Sequence, residues 1–207
     1  LRGDAFDSTM NYEFRRICTD YLTVERPDGL MAAYEFEKMR MRYPDNIVRG
    51  QLNLLDSHDV PRFLSMCHGD LELWKLGCIL LMLMPGVPSL FYGDECAVEG
   101  ILEEEYRQPM PWNRKDTVYS FIRELVSVRN NYIDGKTGYT PLWEMIHDGV
   151  FAFLRNDIKW SLKIIVNAGT DSVCCPVLPE ESVLMMSEKE NSDTISGKGY
   201  RITLERQ

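Results

Sequence analysis

Apolar and polar positions follow two different periods along this chain, and the change from one to the other divides it. From Phe14, apolar side chains recur at Ile17, Cys18, Tyr21 and Leu22, the spacing that gathers them on one face of a helix. "DAFDSTMNY", just ahead, has the length of a strand. A second helical pattern covers roughly residues 28–42, and "NIVRGQLNLLD" predicts a strand over 47–55 that stops at a His-Asp pair. Asp70 is placed to cap a helix running to Met84, "VPSLFYG" predicts a strand over 88–92, and Asp116 is placed to cap a helix bearing Val118, Phe121, Ile122, Leu125 and Val126. Strand and helix alternate three times, which implies parallel strands with crossover helices, as in a β/α barrel or an open α/β sheet.

After about residue 145 the helical period stops. "GVFAFLRN", "WSLKIIVNAG", "SVCCPVL", "ESVLMM" and "GYRITLE" follow at spacings suited to small antiparallel sheets. The fold expected is α/β followed by all-β, with an α/β unit over 1–142 and a β-sandwich over 143–207.

Composition narrows the function. Of 207 residues, 44% are hydrophobic, enough for a packed core. A net charge of −9 without a run of lysines or arginines argues against nucleic acid or an anionic membrane as partner. The longest apolar stretch, "LGCILLMLM" at 76–84, is too short for the ~20 residues of a bilayer span. Six cysteines, at 18, 67, 78, 96, 174 and 175, form no C-x-x-C pair; they are expected to be reduced and mostly buried, which favours a cytoplasmic setting. The chain opens on Leu1 without a signal pattern, so its natural N-terminus is expected to lie further upstream.

His58 and Asp59 follow Leu54 and Leu55 closely, so a strand should deliver both to its C-terminal end, where β/α enzymes gather reacting groups. On the dipeptide alone, a hydrogen-bonded pair opening a loop is the simpler account. The surrounding residues are more specific. "NLLDSHDVPRFL" resembles the fourth signature region of the α-amylase family of glycoside hydrolases (family 13), whose strand-seven His-Asp pair contacts the sugar at the point of cleavage. "PGVPSLFYGDE" at 85–95 resembles the family's eighth strand, and "LRGDAFDSTMNYEF" its sixth. "RQPMPWN" at 107–113 resembles the R-R-P-M-P-W stretch of neopullulanases and cyclomaltodextrinases.

This resemblance implies strands six to eight of a (β/α)8 TIM barrel followed by a C-terminal antiparallel β-sandwich. The activity implied is retaining cleavage or transglycosylation of α-1,4 or α-1,6 glucosidic bonds in an α-glucan or maltooligosaccharide. Asp59 would stabilise the transition state and His58 would position the sugar. Arg107 and Glu103 would bind sugar on the donor side, and Arg62 would bind sugar or brace the loop. The family's nucleophile and acid/base would precede Leu1, so the isolated chain is expected to be inactive, to need the preceding part of its own polypeptide, and to self-associate. No motif demands a metal or cofactor.

The family's D-P-D-x-R-R becomes "EEEYRQ" here, with Glu103, Glu105 and Gln108 as the departures. Tyr92, Asp94 and Glu95 are expected to shape the rim rather than react, as is the Met10-Asn11-Tyr12 turn. Trp112 and Trp143 are candidates for sugar stacking or for packing. A catalytically silent relative, like the barrel ectodomains of amino-acid transporter heavy chains, is the competing reading. A metal phosphohydrolase carrying "HD" fits poorly, with three histidines in all and Pro61 after the pair.

Overall fold

The computed structural model describes residues 6–113, 117–187 and 193–206. Three short parallel strands, β1 (Met10–Asn11), β2 (Leu52–Leu54) and β3 (Val87–Ser89), lie side by side in that order, with Met10 opposite Leu52 and Leu52 opposite Val87. Between β1 and β2 run α1 (Tyr12–Leu22), α2 (Gly29–Arg40) and α3 (Asp45–Gly50). Between β2 and β3 run α4 (Phe63–Met66) and α5 (Leu71–Leu83), and after β3 come α6 (Glu103–Tyr106) and α7 (Thr117–Tyr132). This is the alternation that the hydrophobic pattern predicts.

Side chains from the strand ends and loops start the helices. Asn11 accepts from the Phe14 amide to cap α1, and Asp28 accepts from the Met31 amide to cap α2. Asp70 accepts from the amides of Glu72 and Leu73 at the start of α5, as expected. The expected Asp116 cap lies outside the described residues. α5 is apolar on nearly every side, with nine buried residues, the mark of a helix enclosed by other elements. Each such Leu or Ile contributes roughly 1.5–3 kcal/mol by leaving water.

The strand expected over 47–55 is corrected. Pro44, with φ −58°, leads into α3, Asp45 favours its first turn and Arg49 its last. Ile47 and Val48 are therefore buried from a helix, and only Leu52–Leu54 is extended. The strand expected over 88–92 stops at Ser89, ahead of a turn in which Gly93 takes φ +93°.

Past α7 the chain is antiparallel. β4 (Gly138–Pro141), β5 (Val150–Asn156), β6 (Trp160–Asn167), β7 (Val173–Cys174), β8 (Glu181–Met186), β9 (Thr194–Ile195) and β10 (Gly199–Arg206) follow in sequence. Five of them form a sheet in the order β4-β5-β6-β10-β8, while β7 and β9 pair separately. The sheet's first strand lies ahead of residue 143.

One hydrophobic core runs through both halves. Phe14, Phe36 and Phe151 form a chain of rings with centroids 5.7 and 5.3 Å apart, linking α1 and α2 to β5. The Tyr21 hydroxyl, buried beneath them, donates to the Gly149 carbonyl at 2.7 Å. A Cβ on Gly29 would lie 1.9 Å from the Val150 carbonyl oxygen, so α2 presses on β5 as closely as backbone permits. None of the six cysteines is joined in a disulfide, and of the six only Cys174 is exposed.

Candidate functional site

Because β2 is parallel to its neighbours, the loop leaving Leu54 rises at the C-terminal end of the three strands. Below that rim the strands are tied by buried amides. Asn11 Nδ2 donates to Asn53 Oδ1 at 2.8 Å, and Asn53 Nδ2 donates to the Pro85 carbonyl at 2.9 Å. Gly86, at φ +124°, makes room for this, since a Cβ there would meet Asn53 Nδ2 at 2.5 Å.

The loop 56–63 closes on itself. Asp56, 2% exposed, accepts from the Phe63 amide at 2.9 Å, and Ser57 Oγ accepts from the Asp59 amide at 3.1 Å. This short closure leaves His58 and Asp59 pointing outward, their side chains 63% and 54% exposed. His58 Nε2 stands 3.1 Å from Asp59 Oδ1.

Arg107, at the end of α6, reaches the same spot. Its Nε donates to the His58 carbonyl at 2.8 Å, Nη2 lies 3.7 Å from Asp59 Oδ1 and Nη1 lies 3.1 Å from Glu103 Oε1. Four of the five residues singled out from sequence therefore meet on one solvent-facing surface: an imidazole, two carboxylates and a guanidinium. Such a group sets donors and acceptors side by side and can hold several hydroxyls of a polar, uncharged ligand.

Arg62 is not among them, and its placement fits the second of its two expected roles, bracing the loop, rather than binding sugar. It has 0% exposure. Its Nη1 donates to the Tyr92 carbonyl at 2.7 Å and lies 3.3 Å from Asp94 Oδ1, and its guanidinium sits 4.1 Å from the centre of the Phe91 ring. The side chain braces the site loop against the exit of β3.

Asp94 in turn accepts from the Phe91 amide at 3.1 Å. Burial raises the Asp94 carboxyl well above the ordinary aspartate range, and the adjacent Asp56 raises it further. Asp56 is raised as well, by burial, against the lowering effect of the Phe63 amide and Arg62. Burial of the pair therefore favours its protonated form against the pull of Arg62 on both carboxyls and of Arg15 on Asp56.

Glu95 accepts from the Gly93 amide at 2.8 Å, and Tyr92 donates to the Gln108 carbonyl at 2.8 Å. These residues shape the rim. Glu105 accepts from the amides of Ile101 and Leu102, and Gln108 Nε2 donates to the carbonyls of Glu99 and Glu105. The departures from "D-P-D-x-R-R" at these two positions therefore fasten their own loop. Trp112 is 80% exposed and Trp143 49%.

One contributor escapes the sequence reading: nothing local distinguishes Asp56 from any strand-end aspartate, although its position two residues ahead of His58 is the available signal. Tyr12, from the turn expected to shape the rim, brings its hydroxyl to 3.5 Å from Ser57 Oγ. Among the described residues no group of three or more His, Cys, Asp or Glu side chains is arranged to hold a metal ion.

Comparison with known proteins places this geometry. Residues 1–137 match the α-amylase catalytic domain. Neopullulanase 2 of Thermoactinomyces vulgaris is 32% identical over 176 residues, covering 81% of this chain and 29% of that protein. A cyclomaltodextrinase of Thermoanaerobacter pseudethanolicus is 28% identical over 199 residues, covering 94% of this chain and 33% of the relative. The chain thus spans about a third of the length of these relatives. Among solved structures, the cyclic α-maltosyl-(1→6)-maltose hydrolase of Arthrobacter globiformis superposes with a TM-score of 0.82 at 26% identity, over 100% of this chain and 46% of that one. The native debranching enzyme of Nostoc punctiforme gives 0.84 at 26% identity, over 98% and 49%. With most of its length matched to the catalytic domain and its three parallel strands in a TIM-barrel setting, the chain belongs to the α-amylase family of glycoside hydrolases, as a member similar to neopullulanases and cyclomaltodextrinases.

Proposed function

We propose that this chain is part of a retaining α-glucan hydrolase or transglycosylase acting on α-1,4 or α-1,6 glucosidic bonds, and that its surface of His58, Asp59, Glu103 and Arg107 holds the sugars on either side of the bond that breaks. The supporting observation is the convergence of these side chains at the C-terminal end of parallel strands, with Arg107 joining the two loops. Cleavage passes through a state in which the ring flattens and positive charge builds at the anomeric carbon, and contacts to ring hydroxyls tighten as it forms. Asp59 would accept from such hydroxyls and favour the developing charge. His58 would fix the same sugar, while Arg107 and Glu103 would act on the donor side.

A retaining mechanism also needs a carboxylate nucleophile and a carboxylic acid close to the bond. In this reading both come from the part of the polypeptide ahead of Leu1, and the 207-residue chain alone releases no sugar from starch, pullulan or cyclodextrin. The α/β part up to α7 belongs to the barrel, and the strands from β4 onward form its C-terminal β-sandwich.

The test is Asp59→Asn in the longer polypeptide. The substitution keeps size and removes charge, so kcat should fall by about a hundredfold with KM nearly unchanged. A variant that keeps its kcat and changes only KM makes Asp59 a ground-state binding residue. A longer polypeptide with no turnover at all before mutation favours the silent relative instead.

A further inference from the structure

The opposite end of the parallel strands carries a different chemistry. A cavity of about 400 Å³ opens where α3 leads into β2 and where Pro85 and Gly86 lead into β3. Four arginines line it: Arg40, Arg49, Arg129 and Arg155. This occurs in a chain whose net charge is −9.

Two of the four are withdrawn from solvent without a counter-charge. Arg155, 3% exposed, donates only to backbone carbonyls, those of Leu83 at 2.6 Å, Gly138 at 2.8 Å and Thr137 at 3.3 Å. Arg129, half-buried, donates to the carbonyls of Met82 and Gly86. No carboxylate among the described residues forms an ion pair with either. These carbonyls include the last ones of α5, so both arginines also finish that helix, but dipoles do not neutralise whole charges.

At the rim, Arg49 donates to the Gly135 carbonyl and is otherwise exposed. Arg40 pairs with Glu37 at 2.8 Å and lies over the Tyr139 ring, yet its Nε is buried without a partner. Asp45 and Asp134 are the acidic residues of the lining. Asp134 is engaged by its own turn, accepting from the amides of Lys136 and Thr137. Burial, and then the neighbouring Arg129, Arg40 and Arg49, lower the Arg155 guanidinium to about 10, as expected where cations crowd together.

We propose that this cavity binds a phosphate group, carried by a small molecule of about the size of a phosphorylated monosaccharide. A dianion matches the two guanidiniums withdrawn from solvent, with Arg49 at the rim as a third donor, and forked N–H donors suit phosphate oxygens better than a single point charge would. The volume exceeds what inorganic phosphate fills and lies in the range of small-ligand sites. The site is remote from His58 and Asp59 and does not depend on the activity proposed for them.

Calorimetric titration of the 207-residue chain with inorganic phosphate and with glucose 6-phosphate, against sodium chloride at equal ionic strength, tests this. Saturable binding of phosphate that chloride does not reproduce is expected, with tighter binding of the sugar phosphate. Arg49→Ala, which removes an exposed side chain with a single carbonyl contact, should weaken binding about tenfold while leaving the melting temperature of the ligand-free chain unchanged. Arg129→Lys keeps the charge but loses the fork, and should weaken it too. No saturable binding by either phosphate, or equal affinity in wild type and Arg49→Ala, overturns the proposal.

Discussion

Asp56 and Asp94 show how a residue away from the surface controls those on it. The folded chain holds a proton on this buried pair that the unfolded chain would release once the pH passes the ordinary aspartate range. The pair's contribution to stability is therefore complete below that range and is lost as the pH rises through its raised value. Asp94→Asn keeps a neutral polar group beside Arg62 and abolishes this loss. The urea midpoint of the variant should accordingly fall less steeply with rising pH than that of the wild type, and identical slopes would exclude Asp94 as the source. At this scale the sequence disclosed which side chains face solvent only where a short motif carried them. His58, Asp59, Glu103 and Arg107 could be named in advance. Arg62 could not be placed, because Pro61 fixes the backbone entering it but not whether its long side chain turns outward or under the loop. Its burial came from aromatic neighbours 29 and 30 positions later in the chain, at Phe91 and Tyr92.

Among the elements, α5 was legible from both ends and α3 was not. Asp70 before a long apolar run and Pro-Gly after it leave few alternatives to a capped, buried helix. Ile47 and Val48, by contrast, merge with Leu52 and Leu54 into one apolar run, and a six-residue helix is too short to show its period. Asp70→Ala should cost about 1–2 kcal/mol in chemical denaturation, since it removes the cap of α5 and the 2.6 Å contact with Lys198. A change under a few tenths of a kcal/mol would mean that water serves the first turn equally well. Gly77→Ala sets two effects against each other. Helix propensity favours alanine by about 1 kcal/mol, but its Cβ would lie 2.4 Å from the buried Phe63 ring of α4. Overpacking of that kind costs about 1–3 kcal/mol, so the variant should be no more stable than the wild type, and a raised melting temperature would show that the ring moves aside freely.

For the whole molecule, the three parallel strands end in two open edges. Val87 on β3 is 44% exposed and Met10 on β1 43%, so backbone donors and apolar side chains are both presented to solvent. Light scattering should show the isolated chain associating as its concentration rises, and a clean monomer at high concentration would contradict this. The order of elements was readable from period alone, whereas the way the antiparallel strands meet the helices was not, because nothing local in "GVFAFLRN" announces Phe36 as its neighbour. That meeting has a consequence for handling the protein. Phe14, Phe36 and Phe151 stack across the change of architecture, Gly29 touches Val150, and Tyr21 reaches Gly149. A truncation near residue 143 would strip the cover from α2 and leave Phe36 facing water. Differential scanning calorimetry should then record a single cooperative endotherm for the intact chain, with calorimetric and van't Hoff enthalpies in agreement, and neither half should be recoverable as a folded piece.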